Sequence, residues 1–445
     1  MALEESDRSG WLFPSSWFSW RPTSMARLAQ AELKILQTFI KKAFDTKYVN
    51  LPKSQHRIWT LTVNESGATN KVPLVLVHGM GGGIGLWAQN IDTLSANRPL
   101  YAFDLLGFGR SSRPRFSCTP EVAELEFVES IEEWRNEMKL DKMVLVGHSL
   151  GAYVASSYSL KYPERVKHLV LADPWGFPEK PAPEHRRPIP IWIRAIATLI
   201  KPFNPLAVLR AAGPWGPGLV KRFRPDLQNK FSHMLDDDTI FDYIYHCNAQ
   251  TPSGESAFKT LNTSFGWAKN PMVNRIEQVD QRIPITFIYG SKSWVDNATG
   301  YQIKHVRSES FVDVAVVRGA GHHVYADKPV PFNELVLRVC DAVDNNTVPK
   351  PIKFQEWNKK YGSPDMEENR KNGSSDKDKV SKRERRVSPE KTDSEAGSQT
   401  SESPDRKPGD VVNDSDSQFS NVNLNTSPSK ASFGEEKEDL PKQLL

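Results

Sequence analysis

The sequence predicts an α/β fold with a mostly parallel, doubly wound sheet and a helical cap inserted before its late strands. Three observations predict it. Strand-like runs alternate with helix-like ones. Several of the runs, such as Leu74-Val75-Leu76-Val77 and Met143-Val144-Leu145-Val146, are apolar on both faces, as strands buried in a parallel sheet are. Glycine-rich loops and chemically capable residues gather just after those runs, which places them along one edge of the sheet.

Size and composition bound the rest. At 445 residues the chain has room for a large α/β unit with additions at both ends. A formal charge of +4 is small for that size and gives no reason to expect a nucleic-acid partner. Cys118, Cys247 and Cys340 lie far apart, which fits a reducing compartment and speaks against a disulfide frame or a thiolate metal site. No metal or cofactor is expected. Glu4, Glu5 and Asp7 stand where a secretory signal would carry positive charge. The most apolar long stretch, residues 189–209, is broken by Arg194, Lys201 and prolines, so no membrane span is expected. The expected setting is cytoplasmic, with any membrane contact peripheral.

Residues 1–45 read as an arm followed by a helix. Trp11, Trp17 and Trp20, with Leu12, Phe13 and Phe18, make an aromatic segment suited to the headgroup level of a lipid layer; packing onto the globular body is the alternative. Residues 25–44 carry an imperfect amphipathic stripe of Leu28, Leu33, Ile35, Leu36, Phe39 and Ile40, expected to face the core.

The α/β unit is expected over residues 46–344. Strands are read at 58–63 and 73–77, the second running into His78-Gly79-Met80-Gly81-Gly82-Gly83. A His-Gly loop after a strand can present a backbone amide to a developing oxyanion, and Met80 N–H is the donor expected here. A dinucleotide phosphate loop is the alternative, but the Gly-x-Gly-x-x-Gly spacing is missing. The next strand ends at Asp104, which precedes the nucleophile region and is read as a turn or capping residue. A helix with Phe127, Ile131 and Trp134 inward leads to Gly147-His148-Ser149-Leu150-Gly151. That string reads as a nucleophile elbow: a serine on a tight strand-to-helix turn, its hydroxyl clear of the sheet, with the Leu150 amide as second oxyanion donor. A surface turn would also fit the bare five-residue pattern. A helix at 152–160 and a strand at 166–172 complete the unit and end at Asp173-Pro174-Trp175-Gly176.

Residues 177–282 interrupt the strand rhythm with Pro188, Pro190, Trp192, Pro202, Pro205, Pro214, Trp215, Lys221, Arg222 and Arg224. This is where a helical cap would cover the serine, making an apolar tunnel with a cationic rim; a solvated insertion is the bland reading. Strands resume at 283–290, with Trp294-Val295-Asp296-Asn297 beyond, and at 312–317, followed by Gly321-His322-His323. Ser149, Asp296 and His322 occur in the order Ser, acid, His, each in a loop after a strand. Asp296 is preferred over Asp173 as the acid, and His322 over His323. Residues 345–445 read as a disordered charged tail, in which Arg385-Arg386-Val387-Ser388-Pro389 would suit a basophilic kinase; a chance match in a Ser- and Lys-rich tail is the alternative.

Together, Trp20-Arg21-Pro22-Thr23-Ser24, His78-Gly79-Met80-Gly81-Gly82-Gly83, Asp104-Leu105-Leu106-Gly107-Phe108-Gly109-Arg110-Ser111-Ser112, Asp173-Pro174-Trp175-Gly176-Phe177-Pro178 and His322-His323-Val324-Tyr325-Ala326-Asp327 resemble α/β-hydrolase domain-containing proteins 4 and 5 over most of the chain outside the tail. The resemblance implies an α/β-hydrolase fold and lipid homeostasis at lipid droplets and intracellular membranes, the mitochondrial surface included. One branch implies a lysophospholipase acting on N-acylphosphatidylethanolamines. The other, with Asn at the nucleophile, implies a coactivator of a separate triacylglycerol lipase and a lysophosphatidic acid acyltransferase that makes phosphatidic acid. Expected partners are therefore a lipid substrate, a membrane or droplet surface, and a lipase or droplet-coat protein. Ser149 keeps the hydrolytic option, while Arg187-Pro188-Ile189-Pro190 is closer to the second branch. Ala152 and Met80 depart from the usual Gly and Phe. His322 and Asp327 form a His-x-x-x-x-Asp spacing associated with acyltransferases, although Asp327 also stands where it would cap the helix after Pro329.

Overall fold

The computed structural model describes residues 23–65, 71–181, 206–231, 234–235, 237–263, 266–351 and 360–361. Trp11, Trp17, Trp20, the basic proline segment around Arg187 and the tail from 362 onward lie outside the described residues, as does Ser388.

Eight strands form one sheet: β1 (Phe44–Leu51), β2 (His56–Val63), β3 (Leu74–Val77), β4 (Leu100–Phe103), β5 (Met143–His148), β6 (Val166–Ala172), β7 (Ile285–Gly290) and β8 (Val312–Val317). Their spatial order is β1-β2-β4-β3-β5-β6-β7-β8. β1 and β2 pair antiparallel and β2 pairs antiparallel with β4, whereas every pairing from β4 through β8 is parallel. The apolar runs are two-faced because each strand feeds two cores. Leu74 and Leu76 of β3, with Val144 and Val146 of β5, join one cluster. Val75, Val77, Met143 and Leu145 join the other. That period-2 division is what helices on both sides of a parallel sheet require.

Helix α1 (Met25–Phe39) starts where Ser24 Oγ accepts the Arg27 N–H at 3.1 Å, an N-cap that satisfies one of the free first-turn donors. Leu28, Ile35, Leu36 and Phe39 are buried and Leu33 is exposed, so the inward stripe is narrower than the sequence pattern. The helix is also shorter than residues 25–44, because Phe44 already opens β1. Glu32 on α1 takes hydrogen bonds from Trp59 Nε1 and Arg110 Nη1, both at 2.8 Å, and ties the helix to β2. Burial, together with the nearby Asp104, pushes the Glu32 carboxyl up to about 8. Helix α2 (Ala88–Leu94) packs on the same side as α1, and α3 (Pro120–Glu137) and α4 (Leu150–Lys161) pack on the other.

The insertion between β6 and β7 carries helices Ala207–Ala211, Gly216–Phe223, Pro225–Phe231, Thr239–Asn248 and Gly254–Leu261 among its described residues. It is anchored to α1 through an edge-on contact of Phe39 with Phe231, whose centroids are 5.7 Å apart. Among the described residues no helix is long and apolar enough to cross a membrane.

Candidate active site

The site collects at the carboxyl ends of β3, β5, β6 and β8. β5 ends at His148, and Ser149 follows with φ 53° and ψ −117°, a left-handed conformation that a non-glycine residue holds only when its surroundings enforce it. They do so here. Ser149 N–H donates to Ala172 O at 3.1 Å, while Ser149 O accepts from Ala152 N at 3.1 Å and Trp175 N at 3.3 Å. The flanking glycines are required by contact: a Cβ on Gly147 would lie 2.5 Å from Ala152 Cα, and one on Gly151 would lie 2.4 Å from His78 O. The turn therefore holds the serine side chain up while α4 begins directly beneath it at Leu150. The Leu150 amide is one of the first-turn donors that have no partner within a helix.

His322, on the loop after β8, reaches this serine. Its Nε2 lies 3.0 Å from Ser149 Oγ, and its Nδ1 lies 2.9 Å from Asp173 Oδ2. With Nδ1–H donating to the carboxylate, Nε2 is left as the acceptor for the serine O–H. The acid in contact with the histidine is thus Asp173 and not Asp296. Asp173 directly follows β6, is fully buried, and also accepts from Gly290 N at 3.1 Å and from Ser293 Oγ. Asp296 is exposed, and its Oδ1 accepts the Ala298 N–H at 2.9 Å at the start of helix Ala298–Val306. The physical reason is local: the loop after β7 turns into that helix at once, and the Asp296 side chain closes the turn.

The histidine loop is fixed from several directions. His148 Nε2–H donates to His322 O at 2.9 Å, Gly321 N–H donates to Asp327 Oδ2 at 2.9 Å, and Asp327 N–H donates to His323 O at 2.9 Å. Asp327 therefore meets the loop backbone rather than the His322 ring. Nor does it cap the helix Pro329–Asp344, whose N-cap residue is Lys328 with no side-chain hydrogen bond. His323 is half-buried beside His148, ring centroids 5.1 Å apart. Burial first, and then the neighbouring His148 and Lys230, hold His323 well below the ordinary histidine value; burial and His322 do the same for His148.

The loop at residues 78–83 stands against the serine, for a Cβ on Gly79 would come within 3.0 Å of Ser149 Cβ. Its shape is set by His78, whose Nδ1–H donates to Gly79 O at 2.7 Å while Nε2 accepts from Leu105 N at 3.0 Å. One nitrogen donating and the other accepting is the neutral ring, and burial lowers the His78 pKa accordingly. Asp104 is wholly buried and accepts from Ile84 N at 2.8 Å and Arg110 N at 2.7 Å, which makes it the brace between two loops. Next to this loop lies a cavity of about 400 Å³, bounded by Met80 and His148 below and by Leu219, Val220, Leu227 and Ile244 of the cap above. Arg224 contributes a cation to its wall, and Asp226 already meets that guanidinium at 2.9 and 3.0 Å. No grouping of metal-binding side chains occurs among the described residues.

The sequence pattern does not single out His78, His148 or Ser293, and it places Asp173 second to Asp296. The available signal for Asp173 was its position directly at the end of β6, whereas Asp296 lies well into the loop after β7.

Comparison with known proteins bears on the fold and the family. Residues 72–209 match the family described as alpha/beta hydrolase fold. The human (lyso)-N-acylphosphatidylethanolamine lipase is 56% identical over 341 residues, covering 76% of this chain and 98% of that protein. The human 1-acylglycerol-3-phosphate O-acyltransferase ABHD5 is 52% identical over 344 residues, covering 77% of this chain and 97% of that protein. Among solved structures, carboxylesterase CesB from Bacillus subtilis shares the fold at 17% identity and a TM-score of 0.51, covering 73% of this chain and 99% of that one. On that sequence similarity, extending over nearly the full length of both relatives, the chain belongs to the α/β-hydrolase domain-containing protein 4 and 5 family.

Proposed function

We propose that the chain is a serine lipid hydrolase that releases acyl groups from phospholipids or lysophospholipids, with N-acylphosphatidylethanolamines and their lyso forms as the leading substrates and triacylglycerol as a further one. The observation that carries this reading is His322 bridging Ser149 Oγ at 3.0 Å and Asp173 at 2.9 Å beside a largely apolar cavity. His322 Nε2 takes the Ser149 proton as Oγ attacks the ester carbonyl, and Asp173 holds the imidazole in the tautomer that can accept it. The tetrahedral oxyanion is held by the Met80 and Leu150 amides. His322 then returns the proton to the leaving alcohol, and the acyl-enzyme is opened by water that His322 deprotonates in turn. Opening by a 1-acylglycerol-3-phosphate hydroxyl instead of water would give phosphatidic acid from the same intermediate, so acyltransferase activity requires no second centre.

The relatives' names support the substrate class. The reading includes residence on a phospholipid-coated surface, droplet or membrane, with Trp11, Trp17 and Trp20 as the contact and a lipase or droplet-coat protein as neighbour. The test is acyl release by the full chain from a panel of N-acyl lysophospholipids, phospholipids and triacylglycerol, with and without 1-acylglycerol-3-phosphate, beside Ser149→Ala. Loss of release by at least 10³-fold in the variant is expected, on the order seen when a nucleophile of this kind is removed. Equal rates for parent and variant on every lipid would overturn the hydrolase reading and favour a coactivator that only uses the fold.

A further inference from the structure

Asp327 has more to do than its sequence spacing to His322 implies. Its Oδ2 accepts the N–H of Gly321 and its own N–H donates to His323 O, both at 2.9 Å, so it grips the residues on either side of His322. Its other oxygen, Oδ1, lies 3.3 Å from Lys230 Nζ, and the same ammonium lies 2.6 Å from Asp226 Oδ2. Lys230 and Asp226 both belong to the cap helix Pro225–Phe231. The Lys230 side chain is only 8% exposed, so this cation is held between two carboxylates with little of its own surface in water. Leu227, on the same helix, lines the cavity beside the serine. A lipid chain filling that cavity would touch the helix that carries Lys230.

We propose that Asp327 is a positioning residue for His322 and that Lys230 makes the cap helix part of the same mount, so that the cap's seating sets the histidine's aim. The inference rests on His322 being the base of the proposed reaction. It gives the His-x-x-x-x-Asp spacing a mechanical role in place of a separate acyl-transfer dyad. A loop shifted by a fraction of an ångström leaves the binding cavity intact but lengthens the Ser149–His322 contact, so the effect belongs in kcat rather than KM.

The experiment uses the full chain with Lys230→Met, Asp327→Asn, their double variant, Asp327→Ala and Lys230→Arg. Asp327→Asn keeps an oxygen for the Gly321 amide and loses the charge that holds Lys230. Two quantities are read: hydrogen exchange of residues 319–326, and kcat and KM for a long-chain lysophospholipid and for p-nitrophenyl acetate. Lys230→Met and Asp327→Asn are expected to speed exchange and to lower kcat about 10-fold on both esters with KM nearly unchanged, and Asp327→Ala to lower it by up to about 100-fold. The double variant should be no worse than the poorer single one, as for two members of one link. Lys230→Arg should restore parent behaviour. Unchanged exchange at 319–326 in Lys230→Met, independent losses in the double variant, or losses confined to KM would each overturn the proposal. If Ser149→Ala matched the parent in turnover, the hydrolase reading would fall, and exchange alone would still decide whether the cap holds the loop.

Discussion

Asp173→Asn is the substitution that separates the two carboxylates the sequence offered. The three groups facing Asp173 are all donors: Gly290 N–H at 3.1 Å on Oδ1, and Ser293 Oγ–H and His322 Nδ1–H, the latter at 2.9 Å, on Oδ2. An amide has one oxygen and one NH₂, so one side must become donor against donor. If the NH₂ faces Gly290, a buried N–H loses its acceptor, which costs about 1–3 kcal/mol of stability. If it faces His322, the ring must turn Nδ1 into an acceptor and carry its proton on Nε2, where it can no longer take the Ser149 proton. The second arrangement spares the backbone hydrogen bond, and it removes the base. We expect kcat to fall by about 10⁴-fold, the scale of a wrong-tautomer histidine, or about 5 kcal/mol of barrier. Asp296→Asn keeps the oxygen that accepts Ala298 N–H on an exposed loop, and should stay within about twofold in rate and about 0.5 kcal/mol in stability. The assay is acyl release from a lysophospholipid at saturating concentration, with Ser149→Ala as the floor and a thermal melt for each variant. Retention of more than a tenth of parent kcat by Asp173→Asn, or an equal loss in Asp296→Asn, would refute the reasoning.

Three further outcomes follow from the geometry. Gly79→Ala puts a Cβ 2.9 Å from His148 Nδ1 and 3.0 Å from Ser149 Cβ, so it should move the Met80 amide and lower kcat about 10²-fold, the scale of one lost oxyanion donor, while the melting temperature changes little; a normal kcat would exclude this loop from the oxyanion site. Gly151→Ala drives a Cβ to 2.4 Å from His78 O and 2.5 Å from Val77 O, backbone atoms that cannot step aside, and should destabilise by about 1–3 kcal/mol in urea titration. His168 lies within the sheet with Nε2 2.9 Å from Thr286 Oγ1, and burial lowers it from the ordinary 6.5 to about 3. The unfolded chain then binds a proton that the folded one refuses, so stability is full above pH 6.5 and is lost as pH falls toward 3. His168→Gln should flatten the acid limb of a stability-against-pH curve, and an unchanged slope would assign that limb to other groups.

The parallel part of the sheet was legible because burial on both faces leaves an unbroken apolar run. β3, β5, β6 and β7 are read within a residue or two of their observed ends. β1 carries no such mark. Of Phe44-Asp45-Thr46-Lys47-Tyr48-Val49-Asn50-Leu51 only Val49 and Leu51 are buried, and the strand is specified by its antiparallel register with β2 from Phe44 opposite Val63 to Leu51 opposite His56. Edge strands with one wet face take their identity from the neighbour, which lies elsewhere in the chain. His78 and His148 escaped notice for a related reason. Each reads as one polar residue among glycines, and its use depends on Leu105 N and His322 O, which only folding brings near.

That Asp173 and not Asp296 meets His322 has a more specific cause. Ser, acid and His in that order constrain the sequence, but they do not say which strand carries the acid. β6 and β7 are hydrogen-bonded neighbours, Ala172 opposite Ile288, so their carboxyl ends stand about 5 Å apart and both face the loop of His322. The carboxylate that reaches Nδ1 is Asp173, at 2.9 Å. What decides between them is the company each carboxylate keeps: Gly290 N and Ser293 Oγ, both from the end of β7, turn inward to bind an acid that β6 supplies. The loop after β7 thus furnishes donors for Asp173 instead of a carboxylate for His322, and its own Asp296 is left to start the next helix. A sequence displays the carboxylates but not the donors around them, and those donors select the carboxylate that meets His322.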